Sequence, residues 1–280
     1  MAIGHRDSQA GSGTDSVTNV ERDGRSLYGL SFGAVATAYA DHRPDYARAA
    51  VRWALEPAPG RASRVLDLGA GTGKLTAALV ALGAEVIAVE PDPAMLTELR
   101  RALPAVRALP GSAEAVPLPD ASVDAVLAGN ALHWFDMDVA GPEISRVLVP
   151  GGILAGLWNV FDNRVDWVAE LERVSGSAAI GSRDTLNSWR AETAEAHLPT
   201  TGLAAQFDSP EQAEFPRGQS RTADSLVATF ATKAGLLVMP QREREATLRR
   251  IRAFLASRVE TVRGEFTLPM LTGVLRVHRL

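Results

Sequence analysis

Three glycines at alternate positions follow an acidic residue in the run D-L-G-A-G-T-G, residues 67–73. The glycines come after the short apolar segment 64–68 and before a pattern typical of an amphipathic helix. Glycine tolerates positive φ angles and leaves the main chain bare, so a ligand can lie directly against the backbone. The first N–H groups of the helix lack partners within it and can donate to a polar or anionic group. The run therefore predicts a strand, a tight turn and a helix start that together bind a ligand.

Two classes of nucleoside-containing cofactor use such a turn, and the glycine spacing distinguishes them. The dinucleotide fingerprint is G-x-G-x-x-G, whereas here the third glycine comes one residue early, at Gly73, and Lys74 stands in its place. NAD is therefore the weaker alternative, and a P-loop is excluded because its spacing is not found here. A turn that only connects a strand to a helix is a further, minor alternative. The pattern D-x-G-x-G-x-G, which begins at Asp67, resembles the first motif of the class I S-adenosylmethionine (SAM) dependent methyltransferases.

A second acid stands at the end of the next predicted strand. The segment 84–89 is apolar and ends in Glu90, roughly 20 residues after the glycine turn. A carboxylate at this point can accept hydrogen bonds from both hydroxyl groups of a ribose. Because both cofactor classes place an acid here, Glu90 supports a nucleoside without choosing between them. The alternative is a solvated acid at a strand end.

The resemblance to class I methyltransferases implies further contacts with the cofactor. In that family the loop after the third strand carries a small residue and an acid that face the adenine, and Ser112, Ala113 and Glu114 match this position. Without the resemblance this segment would be an ordinary loop. The cofactor-binding residues that follow from the motifs are Tyr39, Asp67, Gly69, Ala70, Gly71, Gly73, Glu90, Pro91, Ser112, Ala113, Glu114 and Asn130.

The fourth predicted strand, 123–128, opens into small residues that are followed by His133 and Trp134. Such a strand end suits the wall of a pocket better than a core. In the methyltransferases the fourth motif borders the methyl group, and the His-Trp pair is similar to the [HQ]-W of members that esterify carboxylates. Asn130 and His133 are therefore the leading candidates on the substrate side. A structural histidine is the alternative.

All three tyrosines of the protein lie within residues 27–46. The arrangement Y-x-x-x-R-P-x-Y, from Tyr39 through Arg43 to Tyr46, resembles the N-terminal lid of methyltransferases related to trans-aconitate methyltransferase. That resemblance makes Tyr39 and Arg43 candidates for closing over the methionine end of SAM or over an acidic substrate. An equally weighted alternative is a set of aromatic anchors that packs a leading helix on the body.

Alternating strand and helix patterns predict the elements that position these residues. Strand, helix, strand and helix in succession predict a parallel sheet wound right-handed, with ligands at the carboxyl ends of its strands. With what the resemblance to the methyltransferases implies, the predicted fold class is α/β, a doubly wound, mostly parallel seven-stranded sheet of the Rossmann-like methyltransferase type, with an N-terminal lid and a helical insertion between strands five and six. The predicted strands are 64–68, 84–89, 106–109, 123–128 and 153–158, with 266–277 as a hairpin or edge strand, and the later helices are 138–149, 165–175, 224–234 and 241–259.

These elements divide the chain into four predicted parts. They are a flexible tail (1–26), lid helices (27–55), a SAM-binding core (56–175), and a substrate-pocket insertion with the last strands (176–280). Periodicity fades between 176 and 221. In the superfamily, insertions between strands five and six build substrate pockets, so we expect this segment to select the substrate.

Composition limits the classes of partner. The chain has 280 residues, a formal net charge of −4 and no cysteine. The charge gives no electrostatic reason to bind nucleic acid or an acidic membrane, and the lack of cysteine excludes disulfides and thiolate sites. No apolar run reaches the roughly 18 residues of a membrane span. We expect a cytoplasmic monomer or homodimer that acts on a small molecule, with no metal and no nucleic-acid or membrane partner.

Methyl transfer from a sulfonium depends mainly on positioning and on exclusion of water. A hydroxyl acceptor needs a base, such as His133 or His42, whereas a carboxylate needs only an anchoring cation, such as Arg43. The sequence predicts O-methylation of a small molecule, with a carboxylate slightly favoured over a hydroxyl and with His133, Asn130 and Arg43 as catalytic candidates. The alternatives are a non-methylating reaction with SAM, such as a cyclisation, and a non-catalytic binding protein on this fold.

Overall fold

The structure, a computed structural model, describes residues 33–56, 64–181, 183–194 and 206–280. The predicted flexible tail (1–26) and the first part of the predicted lid (27–32) lie outside these ranges. The same holds for part of the predicted substrate-pocket insertion.

Seven strands form one sheet in the order β3-β2-β1-β4-β5-β7-β6. The strands are β1 (Arg64–Leu68), β2 (Glu85–Glu90), β3 (Arg107–Pro110), β4 (Val123–Gly129), β5 (Leu148–Phe161), β6 (Glu211–Thr222) and β7 (Glu265–His278). Strands β1 to β5 pair in parallel, whereas β7 runs antiparallel to both β5 and β6. The predicted doubly wound, mostly parallel sheet is confirmed.

Helices cover both faces of this sheet. They are α1 (Ala36–His42), α2 (Arg48–Leu55), α3 (Lys74–Val80), α4 (Pro93–Ala102), α5 (Met137–Val147), α6 (Asp166–Ser175), α7 (Leu186–Ala194), α8 (Ala223–Ala231), α9 (Ala234–Leu237) and α10 (Gln241–Ser257). In the ranges given above, none of these helices has the length and apolar character that crossing a bilayer requires.

The central strands separate two apolar cores. Helices α2 and α3 pack on one face, and α5 and α7 pack on the other. Because side chains alternate along a strand, Leu154 and Trp158 of β5 belong to the core under α5 and α7, whereas Leu157 belongs to the core under α2 and α3. Asn159, two residues after Leu157, therefore points away from the face that carries Trp158.

A third core lies where β5 and β7 extend beyond the other strands. Phe161 and Met270 pack there with Leu171 of α6, Phe230 of α8 and Ile251 of α10. We call α6 together with α8, α9 and α10 the helical cover. It adds apolar packing beyond the carboxyl end of β5, at the edge of the sheet where the sequence predicts ligand binding.

The prediction of 266–277 as a hairpin or edge strand is wrong. This segment is the interior strand β7, and the edge strand on that side of the sheet is β6, which the sequence pattern did not reveal. An edge strand leaves one side in solvent, and no residue of β6 is fully buried. Pro216 and Gly218 also fall within it, and proline is tolerated in sheets mainly at such edges. Without an apolar face, the strand shows no hydrophobic period.

The helical insertion was predicted between strands five and six. This position is only partly right, because the sequence pattern did not reveal β6. Helices α6 and α7 lie between β5 and β6, but α8, α9 and α10 lie between β6 and β7. Two boundaries also differ from the prediction. Helix α5 ends at Val147 and β5 begins at Leu148, five residues before the predicted strand, with a register shift opposite β4.

Candidate active site

The glycine turn between β1 and α3 adopts a left-handed main chain at all three glycines. The φ angles are 69° at Gly69, 56° at Gly71 and 88° at Gly73. A Cβ atom at Gly69 would come within 2.8 Å of the Ala131 side chain, and one at Gly73 within 3.0 Å of Leu99. At Gly71 it would meet no heavy atom within 4 Å. Gly69 and Gly73 therefore permit close packing, whereas Gly71 presents bare main chain to open space.

Glu90, at the end of β2, holds the shape of this turn. Its Oε2 accepts a hydrogen bond from the Gly71 N–H at 2.8 Å, and its Oε1 accepts one from the Asp92 N–H at 2.9 Å. Burial raises the pKa of Glu90, and these two N–H donors oppose that effect. Each carboxylate oxygen can accept more than one hydrogen bond, so both oxygens keep capacity for a ligand hydroxyl.

Asp67, the acid before the glycines, is fully buried. Its Oδ2 accepts a hydrogen bond from the Thr76 hydroxyl at 2.5 Å, but its Oδ1 has no hydrogen-bond partner in the described part of the chain. Burial raises the pKa of the Asp67 carboxyl to about 7, although the Thr76 hydrogen bond opposes the rise. A buried acceptor without a donor is costly, and this oxygen is therefore suited to a ligand donor or cation.

Two neighbouring cavities meet beside this turn. The first is lined by the turn and by the end of α1, with Tyr39, Arg43, Tyr46, Asp67, Gly71 and Asn130 among its residues. The second lies beside it and is the smaller of the two. Three cations, Arg43, Arg221 and Lys233, line it together with the apolar side chains of Phe161, Leu268 and Met270.

Arg43 and Asn130 line both cavities and so form part of the wall between them. Arg43 donates from Nε to the Thr232 hydroxyl and from Nη2 to the Thr232 carbonyl, each at 2.9 Å, and its guanidinium lies 4.6 Å from the centre of the Tyr39 ring. Asn130 has a φ of 51°, and its Oδ1 accepts from the Asn159 N–H at 3.1 Å. The side-chain amide nitrogen of Asn130 can therefore donate hydrogen bonds to an acceptor of a ligand.

Known proteins match this chain over most of its length. A family model for the methyltransferase domain matches residues 66–156. An uncharacterized methyltransferase of Mycobacterium tuberculosis is 42% identical over 228 residues, which cover 81% of this chain and 86% of the relative. The chain belongs to the class I S-adenosylmethionine-dependent methyltransferases. Its cofactor is S-adenosylmethionine.

Two further similarities extend the comparison. The malonyl-[acyl-carrier protein] O-methyltransferase of Methylococcus capsulatus is 41% identical to this methyltransferase over 139 residues, or 45% of this chain and 49% of the relative. A solved structure of a candidate type II methyltransferase from Anaeromyxobacter dehalogenans has a TM-score of 0.59 and 27% identity, and the match covers 85% of this chain and 97% of that one.

The first cavity of the methyltransferase fits this cofactor. The open space at Gly71 admits a ligand against the main chain, and the unpartnered Oδ1 of Asp67 provides a buried acceptor. SAM carries an ammonium group and two ribose hydroxyls, which are donors. Asp67 lines this cavity, whereas Glu90 lies outside its lining but binds the N–H of Gly71, which lines it. The acceptors of these two carboxylates match the donors that the cofactor brings.

The burial of Asp67 predicts a pH-dependent stability of the cofactor-free protein. The unfolded chain ionises Asp67 near 3.8, whereas the folded chain resists ionisation up to about 7. The folded state is therefore penalised as the pH rises from 4 to 7, and the full penalty, at most about 4 kcal/mol, applies above pH 7. The Asp67→Asn variant lacks this penalty. Its free energy of unfolding, measured in urea, should exceed that of the parent at pH 8 but not at pH 4.

Asp41→Asn, at an exposed position on α1, is the matched control and should follow the parent at both pH values. If Asp67→Asn and the parent differ by the same amount at pH 4 and pH 8, Asp67 does not resist ionisation in the fold.

Pro91, predicted to bind the cofactor, and the three predicted adenine-binding residues, Ser112, Ala113 and Glu114, lie outside the lining of both cavities. Ala113 is buried, Ser112 and Glu114 are half-buried, and Pro91 is exposed. The Oε1 of Glu114 accepts from the Asp136 N–H at 3.1 Å. The contact of Ser112, Ala113 and Glu114 with the adenine and that of Pro91 with the cofactor stay predictions.

His133 also lies away from both cavities. It stands on a short 3-10 helix, Leu132–Trp134, where its Nδ1 accepts from the Trp158 indole N–H at 3.3 Å. Its ring lies 4.9 Å from the ring of Trp134. Trp158 and Asn159 point to opposite faces of β5, so His133 is on the other side of the strand from the second cavity. The structure thus brings together Arg43 and Asn130, two of the three catalytic candidates, without His133.

Several residues of the second cavity escaped the sequence analysis. Arg221 ends the segment without periodicity, and Lys233 was not distinguished from the surrounding chain. The signal at Lys233 was a single lysine between two apolar stretches of α8 and α9, where a charge is unexpected. Arg221 gave no such signal, because it lies in the edge strand β6, which has no apolar face.

Proposed function

We propose that this methyltransferase transfers the methyl group of SAM to a carboxylate of a small acidic molecule. The observation that carries the proposal is the lining of the second cavity, where Arg43, Arg221 and Lys233 surround a small space that shares a wall with the first cavity. An anion is the ligand that three cations favour, and with SAM in the first cavity such an anion would lie across the shared wall from it.

Part of the positive charge in the second cavity is left uncompensated. Lys233 forms an ion pair with Asp184. Among the described residues, no salt bridge joins Arg43 or Arg221 to a carboxylate, and the buried Nε of Arg221 has no hydrogen-bond partner. Burial lowers the pKa of Arg221, and the more distant Asp45 opposes that effect. An incoming carboxylate would supply the missing counter-charge.

A carboxylate acceptor also agrees with the position of His133. The cofactor supplies a methyl group on a positively charged sulfur, which is already electrophilic. A carboxylate arrives deprotonated, so the protein has to orient it and exclude water rather than remove a proton. Arg43 and the amide of Asn130, which line both cavities, are the groups placed to orient its oxygens. The name of the Methylococcus capsulatus relative, a malonyl-[acyl-carrier protein] O-methyltransferase, supports the same acceptor class.

We assign the cofactor-binding roles as part of this proposal. The bare main chain at Gly71 receives the ligand, Glu90 accepts from the ribose, and the Oδ1 of Asp67 accepts from a donor of the cofactor. Tyr39, stacked under Arg43 at the edge of the first cavity, covers the methionine end.

The dependence of turnover on pH tests the acceptor class. Small mono- and dicarboxylates are incubated with SAM, and S-adenosylhomocysteine and methyl ester are measured together. For a carboxylate acceptor, kcat should be nearly constant from about pH 6 to 9, since carboxyl groups ionise near 4. The His133→Gln variant should keep most of this rate. S-adenosylhomocysteine formed in step with ester also excludes a non-methylating reaction.

A hydroxyl acceptor would give a different result. A rate that rises steeply with pH, together with a loss of roughly 10² to 10⁴ in kcat in His133→Gln, would identify His133 as a base. That outcome would overturn the carboxylate assignment and leave the methyltransferase activity in place.

A further inference from the structure

A buried ion pair distinguishes one side of the second cavity. Lys233 lies between α8 and α9, with its side chain only 11% exposed. Its Nζ donates to Oδ1 of Asp184 and lies 5.7 Å from the centre of the Phe161 ring. Lys233 lines the second cavity, whereas Arg43 lines both cavities. A group bound to Lys233 therefore lies away from the wall that borders the cofactor.

Asp184 is fixed in place by its own hydrogen bonds. Its Oδ2 accepts from the Gly181 N–H at 2.8 Å, and its carbonyl accepts from the Phe161 N–H at 2.7 Å. Asp184 is thereby attached to the end of β5. The pair with Lys233 in turn ties the start of α9 to that strand.

Each member of the pair keeps the other charged. Burial lowers the pKa of Lys233, and the positive charge of Arg43 lowers it further, while Asp184 opposes both. Burial raises the pKa of Asp184, but Lys233, the Gly181 N–H and Arg43 together more than offset this, so that the pKa lies below its ordinary value. Arg221 lines the same cavity and adds a third positive charge. Without Asp184, the charged side chains that line the described part of the cavity with Lys233 are the two cations Arg43 and Arg221.

The ammonium group has more donors than the structure uses. It carries three N–H groups, and in the described residues the only oxygen that accepts from it belongs to Asp184. The apolar neighbours Phe161, Leu268 and Met270 offer no acceptor. The oxygens of a ligand in the cavity can satisfy the remaining donors.

We propose that Lys233 is a specificity-determining residue that binds an anionic group of the substrate other than the one that is methylated. Asp184 is the positioning residue that keeps the ammonium charged and directed into the cavity. This inference rests on the proposed function. Different residues then bind the two ends of the substrate. Arg43 and Asn130 orient the acceptor carboxylate beside the cofactor, and Lys233 binds a second anionic group farther from the cofactor.

Matched substrates test the role of Lys233. Succinate, glutarate and adipate are compared with their monoamides, in which one carboxylate is replaced by a neutral group of similar shape. In the parent, we expect a dicarboxylate to have a KM at least about tenfold below that of its monoamide. In Lys233→Met, the KM for the dicarboxylate should rise by roughly 30-fold or more, with little change in kcat. The KM for the monoamide should hardly change.

The Asp184→Asn variant tests the positioning role of Asp184 through the pH dependence of KM, which a purely structural role of Asp184 would not change. Without the carboxylate, Lys233 loses its proton at a lower pH, so the KM for the dicarboxylate should rise between pH 6 and 9 in this variant and stay flat in the parent. The double variant Asp184→Asn/Lys233→Met removes both charges, and its KM for the dicarboxylate should equal that of Lys233→Met. It replaces Lys233→Met in the test if the unpaired carboxylate of Asp184 prevents that variant from folding. Arg252→Met, at an exposed salt bridge between α10 and α8, is the control and should behave as the parent.

Three outcomes overturn the assignment. If Lys233→Met, or the double variant where the single one does not fold, keeps the parent's KM for the dicarboxylate, Lys233 does not bind the substrate, although carboxylate methylation stands. Equal increases in KM for diacid and monoamide show damage to the cavity rather than loss of charge recognition. If no compound in the panel yields S-adenosylhomocysteine with the parent, the proposed function fails and this inference fails with it.

Discussion

The Gly71→Val variant should bind SAM and S-adenosylhomocysteine at least about 100-fold more weakly than the parent. The main chain at Gly71 has a φ of 56°, and a Cβ atom there would point into the open space of the first cavity. A branched side chain would fill the volume in which the ligand meets the bare backbone, and it would also disfavour the left-handed conformation that presents the Gly71 N–H to Glu90. Isothermal calorimetry with both ligands measures the loss.

Gly83→Val is a matched control for this experiment. Gly83 follows α3, has a φ of 85°, and would also place a Cβ atom in open space. Both variants force a β-branched residue into the left-handed region, which costs on the order of 1–2 kcal/mol. Their melting temperatures should therefore fall by similar amounts, but only Gly71→Val should lose affinity for the cofactor. If both variants bind SAM as the parent does, the glycine turn is not the cofactor site.

The parts of the fold that the sequence predicted well have local causes. The glycine turn and the apolar strand β1 arise from neighbouring residues, and the structure confirms them. The start of α4 has a local cause of the same kind. Asp92 accepts from the N–H groups of Ala94 and Met95, as its position before Pro93 indicates. Such features depend on φ preferences and on hydrogen bonds within a few residues, which the sequence shows directly.

The second cavity could not be predicted in the same way, because its contacts join distant segments. Arg43 bonds to Thr232, which is 189 positions away, and Lys233 bonds to Asp184, which is 49 positions away. Arg221 stands on an edge strand without an apolar face. The resemblance to a lid indicated Arg43, but its partners on the helical cover depend on how β6 and β7 are ordered in the sheet. That order carries no local signal.

For His133 the sequence motif indicated the position of the residue but not the direction of its side chain. The His-Trp pair follows β4 as the family motif requires, and the strand end does open near the cavities through Asn130. The direction of the side chain is set by the 3-10 helix Leu132–Trp134, which turns His133 toward Trp158 on the far face of β5. A motif therefore placed the residue at the right strand end without fixing the face to which it points.

The Arg43→Ala variant should show the largest loss in the use of an acidic substrate. Arg43 lines both cavities, and its Nε and Nη2 are held by Thr232 at the end of α8, so its guanidinium is oriented before the substrate arrives. Removing one partner of a buried, hydrogen-bonded charge pair costs about 2–5 kcal/mol, which corresponds to an increase in KM of roughly 30- to 5,000-fold. Since the anchor acts equally on the bound substrate and on the transition state, kcat should change much less.

Two further variants distinguish the charge of Arg43 from its geometry. Arg43→Lys keeps a positive charge but cannot donate two parallel hydrogen bonds to Thr232 or stack on Tyr39 in the same way, so it should recover only part of the loss. Arg48→Ala removes an exposed arginine at the start of α2 and should leave KM unchanged. Initial rates of S-adenosylhomocysteine formation at saturating SAM give KM and kcat for each variant. A KM for Arg43→Ala within about threefold of the parent would show that the cation on the shared wall does not hold the substrate, because a buried charge contact cannot be lost at so small a cost.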